Sequence, residues 1–536
     1  MHYLGFGKRS QSTPQSEPIP GSTQIANNAG GFSWSVDDLT RLNRFLVLSS
    51  NSGTYYVGER KLTRENLDAV ERMLKNGQGK LVVNTIAEIS KAGRAPSNDP
   101  ALFALARCAA ADDQEVRQYA LSILPQVART GTHLLHFVAY TKQFRGWGRA
   151  YRRAVASWFN ERREQNLAYQ LVKYQQRDGY SQRDLLRLAH PKATTDTYNA
   201  LYHWVTKGWE NVGNEPHPDQ ALQIIWAYEK AKRAQDDKEV ALLIKEYRLP
   251  REAVPTQFLH STRVWEALLE EMPMEAMTRN LATMTREAVI LPMGDMTRQI
   301  AERLRNRDAI IKARLHPIKI LSALTTYQSG KSVRGSNTWT PVQAIVDALN
   351  DAFYLSFNNV DPTGKRILLA IDTSGSMRGA TVNGIPNLAV HTAAGAMALV
   401  LANSETNYHI IGVDTSVQDV PISPKQRLDN AVQILKQYGG GGTNLALPME
   451  YALHKNLEVD AFVILSDSET WQGHQHPVQA LQEYRRQINA EARIINVQMT
   501  ATHVTNNAPD DKRALEVCGF DTAIPEIISG FIRGEF

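Results

Sequence analysis

From about Asp37 to Phe357 apolar residues return at three- and four-residue spacing, broken by short Gly, Pro or Asn punctuation. That spacing marks one amphipathic helix after another. It predicts helices over Leu62–Leu74, closed by Asn76-Gly77, over Leu81–Ile89, closed by Gly93, and over Val116–Val127, with others starting near Thr132, Gly148, Ser181, Pro218 and Glu275. Strand-like alternation is missing from this stretch. Helices of this length joined by short turns stack as antiparallel pairs, and a long series of pairs makes a curved solenoid of HEAT type. No clean sequence period runs through them, so the repeat is inferred from helix and turn lengths.

At Lys365 the texture changes. Arg366-Ile-Leu-Leu-Ala-Ile-Asp372 is an apolar run ending in a carboxylate, as a buried parallel strand does at its carboxyl end. Helix-like Leu388–Asn403, strand-like Tyr408–Val413, helix-like Arg427–Tyr438 and Leu445–His454, strand-like Ala461–Ser466, helix-like Pro477–Ile488 and strand-like Arg493–Gln498 follow. This alternation predicts a doubly wound α/β domain, whose ligands bind beyond the carboxyl ends of its strands. Residues 8–31 are rich in Ser, Pro, Gln, Asn and Gly and hold almost nothing to bury. The expected division is a flexible N-terminal arm over 1–31, a helical-repeat region over 32–360 and an α/β domain over 361–536.

Composition narrows the classes. A chain of 536 residues with 43% hydrophobic and 21% charged residues is ordinary globular material and long enough for several domains. Its two cysteines, Cys108 and Cys518, have no C-x-x-C partner, which removes zinc ribbons, dithiol redox motifs and a secreted disulfide framework. No stretch approaches the ~20 apolar residues of a membrane span, and no signal-peptide pattern opens the chain, so no membrane partner and a cytoplasmic location are expected. The net charge of +5 hides an asymmetry: residues 361–536 hold 13 Lys and Arg against 19 Asp and Glu, leaving 47 against 36 before them. The first part suits a polyanion and the second a cation.

The sharpest local chemistry is Asp372-Thr-Ser374-Gly-Ser376 directly after the first strand, with Thr443 in a Gly-rich loop and Asp467 at the end of a later strand. All three pieces fall where a doubly wound sheet gathers its loops. Two carboxylates and three hydroxyls, with water filling the rest, suit one hard octahedral divalent cation, magnesium before manganese or calcium. The site binds rather than cleaves, because no nucleophile and base accompany it and one metal offers little for hydrolysis. D-x-S-x-S with a distant Thr and Asp resembles the metal-ion-dependent adhesion site of von Willebrand factor A domains. Ser329-Gly330-Lys331-Ser332 resembles the end of a P-loop, but Thr325 stands where that motif needs Gly and a helical pattern precedes it. His474 and His476 have no third ligand nearby and are expected in a solvated loop.

Between Arg145 and Lys192 eleven Lys and Arg face four acids, with Trp147, Tyr151, Trp158, Phe159, Tyr169, Tyr174 and Tyr180 among them. Arg149 and Arg153 belong to this cluster. Within Asn166–Arg177, Leu167 and Leu171 mark an inward stripe while Lys173 and Arg177 lie four residues apart on one side of the same helix, a like-charge pairing that helix stability does not explain. Ser181 is expected to cap the next helix with Asp184 at its third position, and His190 ends that helix before Pro191.

The run Lys173-Tyr-Gln-Gln-Arg177-Asp-Gly-Tyr-Ser-Gln-Arg-Asp-Leu-Leu-Arg-Leu-Ala-His190, with Gly146-Trp-Gly-Arg-Ala, Gly53-Thr-Tyr-Tyr, His316-Pro317, Pro362-Thr-Gly-Lys-Arg366, Ser466-Asp-Ser-Glu-Thr470 and Cys518-Gly-Phe-Asp-Thr522, resembles the TROVE module and A domain of the Ro autoantigen family. The resemblance runs in one register from about Phe32 to the C-terminus. It implies an α-helical HEAT-like repeat ring (TROVE) followed by a doubly wound von Willebrand factor A domain that clasps the ring's two ends. It further implies a non-enzymatic scaffold that binds small noncoding Y RNA on its outer surface, through residues matching Lys173, Arg177 and His190, and holds 3′ ends of misfolded or structured RNA in the central hole. The implied role is RNA quality control and stress response. The divergent N-terminal arm and a shorter segment around Phe144 point to a bacterial member, for which the family implies a tether to an exoribonuclease such as polynucleotide phosphorylase. Animal members carry alanine at the place of Gly375 and Gly-Gly-Thr-Asp where this chain has Gly442-Thr443-Asn444, while the five ligand positions stay intact. The competing expectation is an A-domain adaptor that delivers protein clients to an AAA+ ATPase; the positive excess of the helical part speaks for RNA.

Overall fold

The computed structural model describes residues 12–535 except 51–53, 55, 210, 211, 334, 358–360, 383, 384, 386 and 387. They fall into two units, one made of residues 1–66 together with 357–536 and one of residues 67–356.

In the helical unit the expected helices are present, and their ends follow local chemistry. Gly79–Ala92 stops at Gly93 in the left-handed region, Gly131–Phe144 starts under the Thr130 side chain, and Met274–Arg286 follows Pro273. The predicted Val116–Val127 helix is two, Gln114–Ser122 and Leu124–Val127, because Pro125 lacks the N–H an uninterrupted helix needs and restarts the turn instead. Helix Asp99–Cys108 packs on Gly79–Ala92 and Gly131–Phe144, and Asp237–Tyr247 on Thr262–Glu271, burying Leu105, Phe137, Ile244 and Trp265. Each such side chain contributes roughly 1.5 to 3 kcal/mol relative to exposure. The series also returns to its start. Arg314 donates to the Lys91 carbonyl at 2.9 Å, and His316 Nε2 meets the Arg94 carbonyl at 3.2 Å. The helices of this unit therefore close on one another through their own residues. The P-loop-like Gly330 is the left-handed cap of helix Pro317–Ser329, with no strand before it.

The other unit is built on a six-stranded sheet ordered Ala514–Cys518, Arg493–Gln498, Ala461–Ser466, Ile367–Asp372, Tyr408–Val413, Val417–Asp419, parallel except at the last strand. Helices Val390–Asn403, Leu428–Leu435, Leu447–His454 and Pro477–Gln487 follow the predicted order. Leu368, Ile411, Phe462, Ile494 and Tyr484 fill one face of the sheet. The chain leaves Ile367–Asp372 for a neighbour on one side and later returns to Ala461–Ser466 on the other, so the switch point of the topology lies at the carboxyl end of that central strand.

Of the arm expected over 1–31, residues 1–11 lie outside the described residues, while residues from 12 up to 66 group with the α/β unit and no break falls at residue 32. Residues 12–35 lie against the α/β unit. Phe32–Ser35 forms a small antiparallel sheet with Ile25–Ala26 and Val504–Thr505, and Gln15 is fully buried. Helix Asp38–Leu48 joins the same unit through Arg44, whose buried guanidinium donates to the Thr502 and Val504 carbonyls at 2.7 and 2.9 Å and pairs with Glu516. A polar segment can be ordered when backbone and amide hydrogen bonds, rather than apolar burial, hold it.

His316 makes the helical closure pH-sensitive. Its Nδ1 accepts from the Ile318 amide at 3.2 Å as the helix N-cap, while Nε2 serves Arg94, so both bonds are met by a neutral ring. Burial, with the Lys319 charge adding to it, holds the imidazole down at about 4. A depressed histidine stabilises the fold above its ordinary pKa and loses that contribution as pH falls from about 6.5 toward 4, at most about 3 kcal/mol here. His316→Asn is therefore expected to melt below wild type at pH 7.5, with the gap narrowing by pH 5. A gap that stays constant with pH would refute the neutral-cap account.

Candidate functional site

The five residues singled out for a cation come from three loops beyond the carboxyl ends of neighbouring strands, and all are buried. Asp372 ends the central strand. Its Oδ1 accepts from the Ser374 amide at 2.9 Å and its Oδ2 from Ser466 Oγ at 2.6 Å. Ser374 Oγ lies 3.1 Å from Ser376 Oγ, and Ser376 hydrogen-bonds Asp467, bringing the D-x-S-x-S loop to the second carboxylate. The glycine loop reaches the same place because Gly439, at φ 82°, lets the backbone pass where a Cβ would sit 2.0 Å from the Thr373 carbonyl. Asp414 accepts from the Gly441 amide at 3.3 Å, and the Trp471 and Gln472 amides donate to the Thr443 carbonyl at 3.1 and 2.9 Å, which together fix Thr443. Alanine at position 375 would meet only ordinary contacts, 3.4 Å to the Gly440 carbonyl, so that departure from animal members leaves the loop unchanged.

The donor set fits a hard cation. Burial raises Asp372 and Asp467 above the usual carboxylate range, with Asp467 acting on Asp372 and Glu469 on Asp467. Thr443 Oγ1 and Asp467 Oδ2 are buried without a hydrogen-bond partner. Buried oxygens are rarely left so, and each costs roughly 1 to 3 kcal/mol. Two carboxylates and three hydroxyls with acceptor capacity to spare match a divalent ion that keeps water in its shell. Among the described residues no cluster of three or more His, Cys, Asp or Glu side chains that could hold a metal ion is found, and the present set relies on hydroxyls beside two carboxylates.

Residues outside the motif complete this site. Tyr56 hydrogen-bonds Ser376, and burial, then the charges of Asp467, Glu469 and Asp372, push its phenol up to about 12. Asn28 donates to Glu469 from its backbone and side-chain nitrogens at 2.7 and 2.6 Å. Gln15 donates to Asn444 Oδ1 at 2.7 Å and the Gln475 carbonyl at 2.8 Å and accepts from Thr470. Gly31 is required by the same approach, since a Cβ there would lie 2.1 Å from the Thr470 carbonyl. His476 is not in a solvated loop as expected. It is buried, caps helix Pro477–Gln487 and meets the Glu17 carbonyl at 2.8 Å, while His474 is exposed.

The basic cluster of the helical unit is sorted by its surroundings. Arg162 is internal: its guanidinium lies 3.4 Å over the Trp158 ring and donates to the Trp158 and Ala128 carbonyls at 2.6 and 3.0 Å. Tyr151, Trp158 and Phe159 are core, which leaves Trp147, Tyr169, Tyr174 and Tyr180 partly accessible. Lys173 ends helix Glu164–Lys173, donates to the Tyr169 hydroxyl at 3.2 Å and stands 5.4 Å over the Tyr169 and Tyr174 rings. Arg177 is not on that helix, so the like-charge pairing is corrected. It lies on a two-residue strand paired with Tyr180–Ser181 around Asp178 and Gly179, both at positive φ. Asp-Gly between paired residues is a hairpin signal that helical phase obscured. Asp178 also bonds His136. Ser181 and Asp184 form the expected capping box, and His190 ends the helix exposed and left-handed at φ 48°.

Arg149 and Arg153 are exposed on helix Arg149–Asn160, which packs against Gln182–Ala189, the helix that ends in His190. This helix has no acid in its first turn and no side-chain cap. Arg149, Arg152 and Arg153 therefore sit at the positive end of its dipole. Among the described residues none of Arg149, Arg153, Lys173, Arg177 or His190 has an ion pair.

A closed helical-repeat unit and an α/β unit whose loops gather two carboxylates and three hydroxyls define a two-module architecture. The TROVE domain model matches residues 25–326 and the Ro60 vWA domain model residues 366–532. The chain is 39% identical to the RNA-binding protein RO60 of Deinococcus radiodurans over 97% of both chains, and 32% identical to that of Caenorhabditis elegans over 96% of this chain and 90% of that one. It superposes on the crystal structure of the Deinococcus radiodurans RO (RSR) protein with a TM-score of 0.70 at 38% identity, covering 93% of this chain and all of that one. The chain belongs to the Ro60 family.

The buried Gln15 amide supplies a direct test of the N-terminal segment. Gln15→Ala strips partners from buried groups beside Thr443, and the α/β unit is expected to lose about 2 to 3 kcal/mol. Calorimetric melting of the full chain measures it. A loss under about 0.5 kcal/mol would mean that the segment contributes no cohesion.

Proposed function

We propose that this protein is an RNA-binding scaffold that acts by holding RNA rather than by cleaving it. The observation that carries the reading is the surplus of unpaired positive charge on contiguous elements of the helical unit. Three arginines crowd the positive end of one helix, where each costs a few tenths of a kcal/mol, and Lys173, Arg177 and His190 face no carboxylate partner. A phosphate backbone turns that cost into binding. The names of its relatives as RNA-binding proteins support the same class of ligand.

The finer assignment follows the family. Small noncoding Y RNA engages Lys173, Arg177 and His190, with Arg149 and Arg153 alongside, and single-stranded 3′ ends of misfolded or structured RNA enter the helical ring. The outcome is noncoding-RNA quality control, processing or decay in the cytoplasm, with an exoribonuclease such as polynucleotide phosphorylase as the tethered partner. Asp372, Ser374, Ser376, Thr443 and Asp467 would hold magnesium. When bound there, that ion supplies a Lewis-acidic point for an acidic side chain, while Ser466 and the Ser374 amide keep Asp372 oriented.

Two measurements test the reading. The triple variant Lys173→Ala, Arg177→Ala, His190→Ala is expected to bind a Y-like RNA at least tenfold more weakly in filter binding, with a wild-type slope of log K against log salt of roughly −3 to −5 for five to seven phosphates. Lys173→Ala gives up a ring contact of about 0.5 to 1 kcal/mol, so a thermal melt accompanies it. A folded triple variant with wild-type affinity, or a flat salt dependence, refutes the RNA surface. Asp372→Ala with Asp467→Ala is expected to abolish magnesium and manganese binding by calorimetry while RNA affinity stays within about twofold; undiminished metal uptake would remove the metal from the account.

A further inference from the structure

The helical unit holds a cavity of about 480 Å³, within the roughly 300 to 1,000 Å³ of small-molecule sites. It opens among helix Glu164–Lys173, the turn Arg251–Ala253, and helices Thr262–Glu271 and Met274–Arg286. Tyr169 and Lys173 line it, so the cavity shares a residue with the RNA surface. Its other polar walls are Arg251, Arg279 and Asn280, and Leu249, Met272 and Pro273 make it apolar between them.

The charges divide unevenly. Arg248 and Glu271, also at the wall, pair with each other at 3.8 Å, and Glu252 acts on the Tyr169 phenol. Lys173, Arg251 and Arg279 then face the single carboxylate of Glu252, which leaves the lining net positive. Arg251 lies 5.8 Å over the Trp265 ring, and its Nε is buried with no hydrogen-bond partner. Asn280 spends its amide nitrogen on the Ala276 carbonyl at 2.7 Å, which leaves its oxygen to accept. An aromatic wall, a guanidinium, an amide acceptor and an apolar floor are what an unstacked nucleobase uses, while an ammonium at the edge suits its phosphate.

We propose that this cavity is a nucleotide subsite: it receives one unstacked base of a single-stranded RNA segment whose phosphate is held at Lys173. The proposal rests on the RNA-binding reading and adds the chemical form of what enters.

The test uses the full chain with a 12-nucleotide single-stranded RNA carrying one 4-thiouridine, and a blunt RNA duplex as control. Ala276→Phe fills the cavity, and Arg279→Ala removes an exposed charge at its wall. Stacking is worth about 1 to 3 kcal/mol per base, so the filled variant is expected to bind the single strand about tenfold more weakly and the duplex unchanged, with the photocrosslink in wild type falling on the peptide that contains Tyr169. Arg279→Ala is expected to weaken the single strand about threefold, and it decides the matter if Ala276→Phe fails a thermal melt. Wild-type single-strand affinity in a folded variant, or a crosslink elsewhere, overturns the subsite but leaves the Lys173 surface standing. No RNA binding by wild type removes the RNA reading itself, and equal loss on strand and duplex shows a surface effect without a base pocket.

Discussion

Two carboxylates buried side by side, Asp372 and Asp467, set the terms for the α/β unit. Unscreened negative charges are costly in a low-dielectric interior, and each must be met by donors or by a cation. The fold supplies donors at Asp372 from Ser374 and Ser466, and at Asp467 from the Glu469 amide at 3.1 Å. Glu469 then adds a third negative charge nearby, and its answer is Asn28, brought in from the far end of the chain. Thus the N-terminal segment is part of the electrostatic balance of the site. The close approach at Gly31, the burial of Gln15 and the anchoring of His476 on Glu17 are the steric terms of the same arrangement.

Tyr56 belongs to this balance from a different direction. A phenol beside three carboxylates stays protonated, and its hydrogen bond with Ser376 ties it to a residue of the metal-type set. The site is therefore enclosed on the side of Tyr56 as well as on that of Asn28.

Strands that end in a carboxylate or hydroxyl were readable because burial on both faces enforces an apolar run, and the first polar residue after it falls at the sheet's edge. Asp372 and Asp467 could be placed this way without any coordinates. Gln15, Asn28 and Tyr56 could not. Their hydrogen bonds span more than 300 residues of sequence, and a polar segment ordered by hydrogen bonds has the composition of a disordered one. The helical half shows the complementary failure. Periodicity located nearly every helix, yet apolar spacing carried Glu164–Lys173 four residues too far, into the first strand of the hairpin that turns at Asp178-Gly179. Val116–Val127 was run together for the same reason, with Pro125 the local sign that should have outweighed periodicity.

Charge read from sequence also needed its surroundings. Eleven cations between Arg145 and Lys192 looked alike on paper, but burial lowers Arg162 to about 10, and its hydrogen bonds go to backbone carbonyls inside the unit. A cation spent on the fold gives a ligand nothing. The cations left over stand without an ion pair on separate elements: the arginines at a helix N-terminus that favours acids, Arg177 on a hairpin edge, and Lys173 at a helix C-terminus beside two tyrosines. At the N-terminus of Arg149–Asn160 that positive charge costs local stability, which the fold alone does not explain. Because the unpaired cations are spread over several elements and not one, a ligand that meets them all has to be long, which a polymer of phosphates is and a single small anion is not.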